Sequence, residues 1–160
     1  MAAVNPRLVY VNVSGNGAVL PWLDKVPAVV QGWFIGSEAG EAIASVLAGD
    51  VNPSGKLPFT WYARLEDCGA HALGTYPGTW RPDHQIIDEE YKEGIYVGYR
   101  YFETFMKEGA RYPFGYGLSY TTFETEFISA VKTDDGVILS CKVTNTGKYA
   151  SRQVVQAYVE

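Results

Sequence analysis

The stretch Tyr112-Pro113-Phe114-Gly115-Tyr116-Gly117-Leu118-Ser119-Tyr120-Thr121-Thr122-Phe123 divides this chain into two kinds of sequence. It carries five aromatic rings around one proline and two glycines, and it contains no acid, base or thiol. Its glycines and proline predict turns. Before this aromatic segment (residues 112–123), apolar runs alternate with a helical pattern, whereas every periodic segment after it has the spacing of a strand. The sequence therefore predicts two architectures side by side.

Before the aromatic segment, two apolar runs predict strands of a parallel sheet. Residues 8–13 and 28–34 are rich in β-branched and aromatic side chains, as is typical of strands covered on both faces. Between them, residues 21–26 predict one helical turn that opens with proline. A helix is predicted next, with Ser37 as its N-cap and Gly49 as its C-terminal cap. Strand, helix and short connections indicate an α/β layered domain.

The remaining segments predict less regular structure and then a second sheet. Residues 57–61 predict a short strand, whose proline indicates the edge of a sheet or the end of a strand. Residues 62–90 predict a long loop, and residues 94–102 a strand or extended segment. After the aromatic segment, strands are predicted at residues 125–132, 137–144 and 153–159, joined by short polar turns. This pattern is typical of the opening of a β-sandwich, which needs about seven strands.

Composition excludes several classes of function. The 160 residues carry a net charge of −5 with a pI near 5.0, which argues against nucleic acid because phosphate binding needs a basic surface. No apolar run approaches the ~20 residues of a membrane-spanning helix, and the first residues lack the plan of a signal peptide. Cys68 and Cys141 are predicted to be free thiols. Asn12-Val13-Ser14 matches the glycosylation sequon but lies in a predicted buried strand.

Ionisable residues cluster in the predicted long loop. His71 and His84 lie among Asp67, Asp83 and Asp88, a pattern that favours solvated side chains over a metal site because no histidine pair has helical spacing. A phosphate loop at residues 49–57 is also disfavoured, since five residues rather than four separate its glycines and Leu57 stands where Ser or Thr is required.

Two further patterns each leave two interpretations open. Glu89, Glu90 and Glu93 form the densest acidic cluster; paired carboxylates about 5 Å apart can cleave glycosides with retention, but such a cluster is more often a solvated face. The aromatic stretches at residues 91–102 and 112–123 can stack on sugar rings, or they can fill an interface between two units. Composition alone favours the interface.

Three motifs occur in a fixed order: Asn52-Pro53-Ser54-Gly55-Lys56-Leu57-Pro58-Phe59-Thr60, Tyr91-Lys92-Glu93-Gly94-Ile95-Tyr96-Val97-Gly98-Tyr99-Arg100-Tyr101-Phe102 and Tyr112-Pro113-Phe114-Gly115-Tyr116-Gly117-Leu118-Ser119-Tyr120-Thr121. With them the chain resembles glycoside hydrolase family 3, whose β-glucosidases and β-xylosidases carry these motifs in this order. Shorter matches are Pro21-Trp22, Gly40-Glu41-Ala42-Ile43-Ala44 and Val143-Thr144-Asn145-Thr146-Gly147.

The resemblance implies a domain plan. In that family a (β/α)₈-like barrel supplies the aspartate nucleophile, an α/β sandwich domain usually supplies the glutamate acid/base, and a fibronectin type III-like domain follows. Residues 1–111 then map onto the C-terminal part of the α/β sandwich domain, 112–122 onto an aromatic linker or seam, and 123–160 onto a truncated fibronectin type III-like domain. The expected fold class is α/β: a partial α/β sandwich with a mostly parallel sheet and helices, followed by the beginning of a fibronectin-like β-sandwich.

The resemblance also implies an activity that this chain does not carry alone. Both catalytic carboxylates of the family lie upstream of the region matching Asn5, so no catalytic, cofactor-binding or metal-binding residue is assigned. Glu93 resembles the glutamate of the family's Glu-Gly motif, which implies a structural or substrate-proximal role and not a catalytic one. The implied parent is a retaining β-glucosidase-like hydrolase of terminal β-linked glycosides that needs no cofactor. Its expected partners are a β-glucoside or oligosaccharide and the catalytic barrel, not nucleic acid or a membrane. The alternatives are a non-catalytic sugar-binding or interaction module, or one half of a split enzyme.

Overall fold

The computed structural model of this protein describes residues 2–158. The strands of this part are β1 (Val9–Asn12), β2 (Ala28–Gln31), β3 (Trp61–Tyr62), β4 (Thr79–Arg81), β5 (Ile86–Asp88), β6 (Ala110–Tyr112), β7 (Phe123–Thr133) and β8 (Gly136–Asn145). The helices are α1 (Ala39–Ala48), α2 (Gly69–Ala72) and α3 (Tyr99–Phe105), with 3₁₀ turns at Leu23–Lys25, Leu65–Asp67 and Lys107–Gly109.

The chain divides into two compact units. The first unit comprises the residues up to Ile43 together with Leu57–Tyr116, and the second comprises Ala44–Lys56 together with the residues from Gly117 onward. The aromatic segment therefore contributes to both units. The domain boundaries predicted at residues 112 and 123 stay predictions.

The first unit contains the predicted parallel strands. β1 and β2 pair in parallel register from Val9 opposite Ala28 to Asn12 opposite Gln31, and the predicted turn between them forms at Leu23–Lys25. The expectation of strands buried on both faces is wrong here. Asn12 is the one buried residue of the pair, and Val9 is 44% exposed, because β1 and β2 have no third strand beside them among the described residues.

The predicted helix forms with a different start. In α1 the first helical hydrogen bond runs from Ala42 N to Glu38 O at 3.0 Å, so Glu38 and not Ser37 precedes the helix. Gly49 has the left-handed φ of +88° expected of a C-terminal glycine cap. The pattern therefore located the helix correctly and misplaced its first cap by one residue.

The prediction of one long loop over residues 62–90 is wrong. They contain a 3₁₀ turn, α2 and the antiparallel hairpin β4–β5. A bond of 2.8 Å from Arg64 Nη2 to the buried Asp67 ties down the turn. These elements are only three or four residues long, too short to produce a hydrophobic period.

The prediction of a strand or extended segment at residues 94–102 is also wrong, since residues 94 and 95 lie in a turn and no strand forms in this range. Residues 99–102 belong to α3, which follows a turn at Gly98 with φ of +64°. Phe102 on this helix is 5% exposed and Trp61 in β3 is 7% exposed, and they form the buried apolar core of the described residues. The short strand predicted at residues 57–61 forms only at Trp61–Tyr62, as β3. β3 pairs antiparallel with β6.

The second unit contains a long antiparallel hairpin. β7 and β8 pair along their whole length, with a bulge between Phe127 and Ser129, which confirms two of the three strands predicted after the aromatic segment. The third strand is wrong for residues 153–158, which pair with no strand in the described chain; residue 159 lies outside the described residues. The predicted β-sandwich stays a prediction.

No helix within residues 2–158 is both long and apolar enough to cross a membrane.

Candidate functional site

The carboxyl ends of the parallel strands β1 and β2 meet at one edge, where open α/β sheets bind ligands. Each strand ends on an amide side chain. Asn12 Nδ2 donates to Gln31 Oε1 at 2.6 Å and to Ser14 Oγ at 2.8 Å, and Gln31 Nε2 donates to Ser14 Oγ at 3.3 Å. Tyr10 donates its hydroxyl proton to Asn12 Oδ1 at 3.3 Å. This network joins the loop after β1 (residues 13–18) to the end of β2.

The backbone extends the same link. Gly32 N donates to Asn12 O at 2.8 Å, one residue beyond the last paired position. A β-carbon on Gly32 would collide with Ile35 Cδ1. The loop after β2 (residues 32–36) is therefore held against the end of β1.

Trp33 adopts an unusual conformation at this edge. Its φ is +52°, in the left-handed region that bulky residues rarely occupy. Such a conformation costs about 1–3 kcal/mol and often marks functional sites. Its indole lies 5.3 Å from the Phe59 ring and 6.1 Å from the Trp61 ring, and Trp61 Nε1 donates to Ala18 O at 2.9 Å. Packing against Phe59 and Trp61 therefore offsets part of the backbone strain.

The residue after Trp33 faces solvent. Phe34 is 88% exposed, and its ring edge lies over Gly15, where a β-carbon would collide with Phe34 Cζ. Neither loop, residues 13–18 nor residues 32–36, contains an acid, base or thiol. The edge can therefore stack a ring and form neutral hydrogen bonds, but it cannot transfer protons or attack as a nucleophile.

The glutamate cluster is separate from this network and does not form a catalytic pair. Glu90 bonds Lys92 at 2.7 Å, and Glu89 is exposed. Glu93 is half-buried, and its Oε2 has no hydrogen-bond partner among the described residues. The structure brings no two of these carboxylates into one hydrogen-bond network within the described chain.

The loop histidines are likewise dispersed. His84 lies 3.3 Å from Asp83 at an exposed hairpin tip, while the His71 ring lies 6.4 Å from the Tyr76 ring. Asp67 and Asp88 are occupied by Arg64 and Arg81. No group of three or more His, Cys, Asp or Glu among residues 2–158 could hold a metal ion.

The segment with superficial similarity to a phosphate loop holds the second unit together. Asn52 Oδ1 accepts bonds from Ser119 Oγ at 2.9 Å and from Tyr120 N at 2.8 Å, and Asn52 Nδ2 donates to Ala150 O at 3.2 Å. Lys56 Nζ donates to Gly117 O, so the ammonium expected to grip a phosphate is already bonded.

The two thiols and Tyr62 form no reactive centre among the described residues. Cys68 is half-buried, Cys141 is exposed, and both are free. Partial burial, with smaller contributions from Cys68 and Tyr76, raises the pKa of Tyr62 above its ordinary 10.0. Tyr62 therefore stays protonated at neutral pH.

Sequence reasoning missed the paired amides and the strained tryptophan. The available signal was that each of two apolar runs is interrupted by one amide, Asn12 in the first and Gln31 in the second. Their bond spans nineteen residues, so its existence depends on the parallel pairing. Nothing local in the sequence indicates the left-handed φ of Trp33.

Comparison with known proteins identifies the family. Residues 1–99 match the model described as the glycosyl hydrolase family 3 C-terminal domain. The chain is 49% identical to β-glucosidase BoGH3A of Bacteroides ovatus over 98% of its own length and 21% of that protein. It is 45% identical to β-glucosidase B of Emericella nidulans, covering 19% of it.

Solved structures of β-glucosidases are also similar to this chain. The β-glucosidase of Kluyveromyces marxianus in complex with glucose superimposes with a TM-score of 0.79 at 42% identity, over 91% of this chain and 16% of that one. DesR, a β-glucosidase of Streptomyces venezuelae in complex with D-glucose, superimposes with a TM-score of 0.79 at 39% identity, over 92% of this chain and 18% of that one. The chain spans about a fifth of the length of the curated relatives it matches. On the family match and these identities, the chain belongs to glycoside hydrolase family 3, within its C-terminal domain region.

Proposed function

We propose that this chain is a part of a β-glucosidase-like glycoside hydrolase that cleaves terminal β-linked glycosides with retention, and that the catalytic carboxylates lie outside the chain. The observation that carries the proposal is the 49% identity to a β-glucosidase over 98% of the chain. Retaining hydrolysis needs two carboxylates about 5 Å apart, and the edge of β1 and β2 contains none. The chain's role is therefore to supply neutral and aromatic groups beside a centre built elsewhere.

The domain plan belongs to the same proposal. Residues 1–111 form part of the α/β sandwich domain, 112–122 the linker, and 123–160 part of a fibronectin type III-like domain. The β7–β8 hairpin supports this plan, because it is a long antiparallel pair with uncovered apolar side chains: Phe127–Cys141 and Ala130–Leu139 share one face, while Glu126–Lys142 and Val131–Ile138 share the other. Phe127 is 67% exposed and Leu139 is 50% exposed, which is the pattern of one wall of a sandwich.

Turnover of an aryl β-glucoside tests the proposal. The purified chain alone is expected to release no aglycone above the buffer rate. Mixed with a chain that carries the barrel and the upstream part of the α/β domain, it is expected to restore turnover, with that second chain alone as the matched control. Turnover by the chain alone, or no gain on mixing when the two chains are shown to associate, would overturn the proposal.

A non-catalytic sugar-binding module is the second candidate, favoured by the neutral chemistry of the β1–β2 edge. Trp33 and Trp61 lie at this edge, so sugar binding would change their fluorescence. Saturable quenching by glucose, with no turnover in either arm of the assay above, would favour the module. An unchanged spectrum at high glucose would argue against it.

A further inference from the structure

The loop after β1 contains the dipeptide Asn16-Gly17. We infer that Asn16 is a site of spontaneous deamidation and isoaspartate formation, which introduces a negative charge into the otherwise neutral edge of β1 and β2. The inference does not depend on the proposed function.

The reaction needs no other reactant than water. The backbone nitrogen of Gly17 attacks Cγ of Asn16; the new N–Cγ bond forms as the carboxamide C–N bond breaks, and ammonia leaves with the amide proton. Water then opens the resulting succinimide at one of its two carbonyls, giving aspartate or isoaspartate. Glycine favours the first step because it has no β-carbon to obstruct the nitrogen and because its backbone reaches the required conformation easily.

The structure leaves Asn16 available for this reaction. Asn16 is exposed and lies in a bend. Among the described residues, no hydrogen bond holds its side-chain amide. Its backbone carbonyl accepts a hydrogen bond from Ser14 Oγ at 2.7 Å. The carboxamide is therefore free to turn toward the Gly17 nitrogen.

The four other asparagines each lack one requirement. Asn5 and Asn52 precede proline, whose nitrogen carries no proton to lose. Asn12 is 7% exposed and its amide nitrogen already donates two hydrogen bonds. Asn145 precedes threonine, and its amide donates to Tyr149 O and accepts from Thr121 and Gly147. Within residues 2–158, Asn16 alone of the five asparagines combines a following glycine, an exposed side chain and no side-chain hydrogen bond.

The product would alter the edge in two ways. A carboxylate appears between Ser14 and Gly17, where the loop has no charge. Isoaspartate also adds one carbon to the backbone, which displaces the Asn16 carbonyl that accepts the bond from Ser14. It displaces Gly17 as well, which lies close to Trp61: a β-carbon on Gly17 would lie 3.3 Å from Trp61 Cδ1.

Peptide mapping of the incubated full-length chain tests the inference. The folded protein is held at mildly alkaline pH and digested with trypsin, and the peptide of residues 8–25 is sequenced by fragmentation, which separates Asn12 from Asn16. The expected result is the mass gain of one deamidation at Asn16, loss of the unmodified peptide with time, and unchanged masses at Asn5, Asn52 and Asn145. Isoaspartate at Asp135-Gly136 forms through the same ring without a mass change, so it is not mistaken for this product.

Two comparisons make the test decisive. Asn16→Gln and Gly17→Ala are expected to suppress the mass gain, and the folded chain is expected to react at a rate close to that of a synthetic peptide of residues 12–20. An Asn16 peptide that keeps its mass while the synthetic peptide deamidates would overturn the inference. Equal conversion at Asn145 in the folded chain would overturn it as well.

Discussion

The Asn12–Gln31 bond is expected to stabilise the first unit measurably. Asn12→Ala removes two bonds donated by the amide nitrogen, at 2.6 and 2.8 Å, and a longer one accepted from Tyr10 at 3.3 Å. Each ordinary hydrogen bond contributes about 1 kcal/mol net. Because Gln31 and Ser14 are only half-buried, water can replace part of what they lose, so we expect a loss of about 2 kcal/mol.

A double-mutant cycle separates the direct bond from the rest. Gln31→Ala is expected to cost about 1 kcal/mol by itself. In the double variant the second substitution should cost less than it does alone, with a coupling of about 1 kcal/mol between Asn12 and Gln31. This coupling is the part that depends on the parallel pairing of β1 and β2.

Urea unfolding followed by tryptophan fluorescence suits this unit. All four tryptophans, Trp22, Trp33, Trp61 and Trp80, belong to it, so the signal reports on the first unit and not on the hairpin of the second. Asn16→Ala is the matched control, because its exposed side chain makes no bond among the described residues; we expect a change below about 0.5 kcal/mol. A coupling indistinguishable from zero, or an Asn12→Ala loss equal to the control, would refute the reasoning.

Three further predictions concern glycines and one tyrosine. Gly40 lies inside α1, and a β-carbon there would have nothing within 4 Å, so Gly40→Ala should stabilise the chain by about 0.5–1 kcal/mol. Gly49 has a φ of +88°, so Gly49→Ala should destabilise the chain by about 1 kcal/mol. Circular dichroism during thermal unfolding measures both changes, and equal effects would contradict the role of Gly49 as a helix cap. Gly117→Ala places a β-carbon against Gly55 O and should cost about 1–3 kcal/mol by the same measurement, and a neutral result would mean that the two segments separate easily. The raised pKa of Tyr62 favours its protonated form in the folded state, so this contribution to stability is complete below about pH 10 and is lost as pH rises through the folded pKa. Tyr62→Phe should therefore show a smaller alkaline loss of unfolding free energy than the unmodified chain; identical curves would disprove it.

The β1–β2 edge joins two loops, residues 13–18 and 32–36, that contain no acid, base or thiol. Its two amides bond each other and Ser14 Oγ, so they link the loop after β1 to the end of β2. Trp33 has a left-handed φ at this edge, and the next residue, Phe34, is exposed. The side chains of these two loops are neutral and include the aromatic rings of Trp33 and Phe34, which fits the division of labour proposed above between this chain and the part that supplies the carboxylates.

Local patterns in the sequence were sufficient for the long and periodic elements. β1, β2, α1, β7 and β8 follow from apolar periodicity and from turn residues, which act over a few neighbouring positions. Family membership followed from three motifs in order. The same local reasoning failed for the hairpin β4–β5 and for α3, since elements of three to seven residues form only when other parts of the chain support them.

The sequence by itself determined which family this chain belongs to, which segments form its main strands and first helix, and that residues 13–18 and 32–36 contain no acid, base or thiol. The tertiary structure alone decided that Asn12 bonds Gln31, that Trp33 takes a left-handed φ, and that the side chain of Asn16 is exposed and has no hydrogen-bond partner among the described residues. The physical reason is range. Periodicity and turn chemistry act within a few residues, whereas the edge is assembled by backbone pairing across nineteen residues, and this pairing selects which side chains are bonded and which remain free.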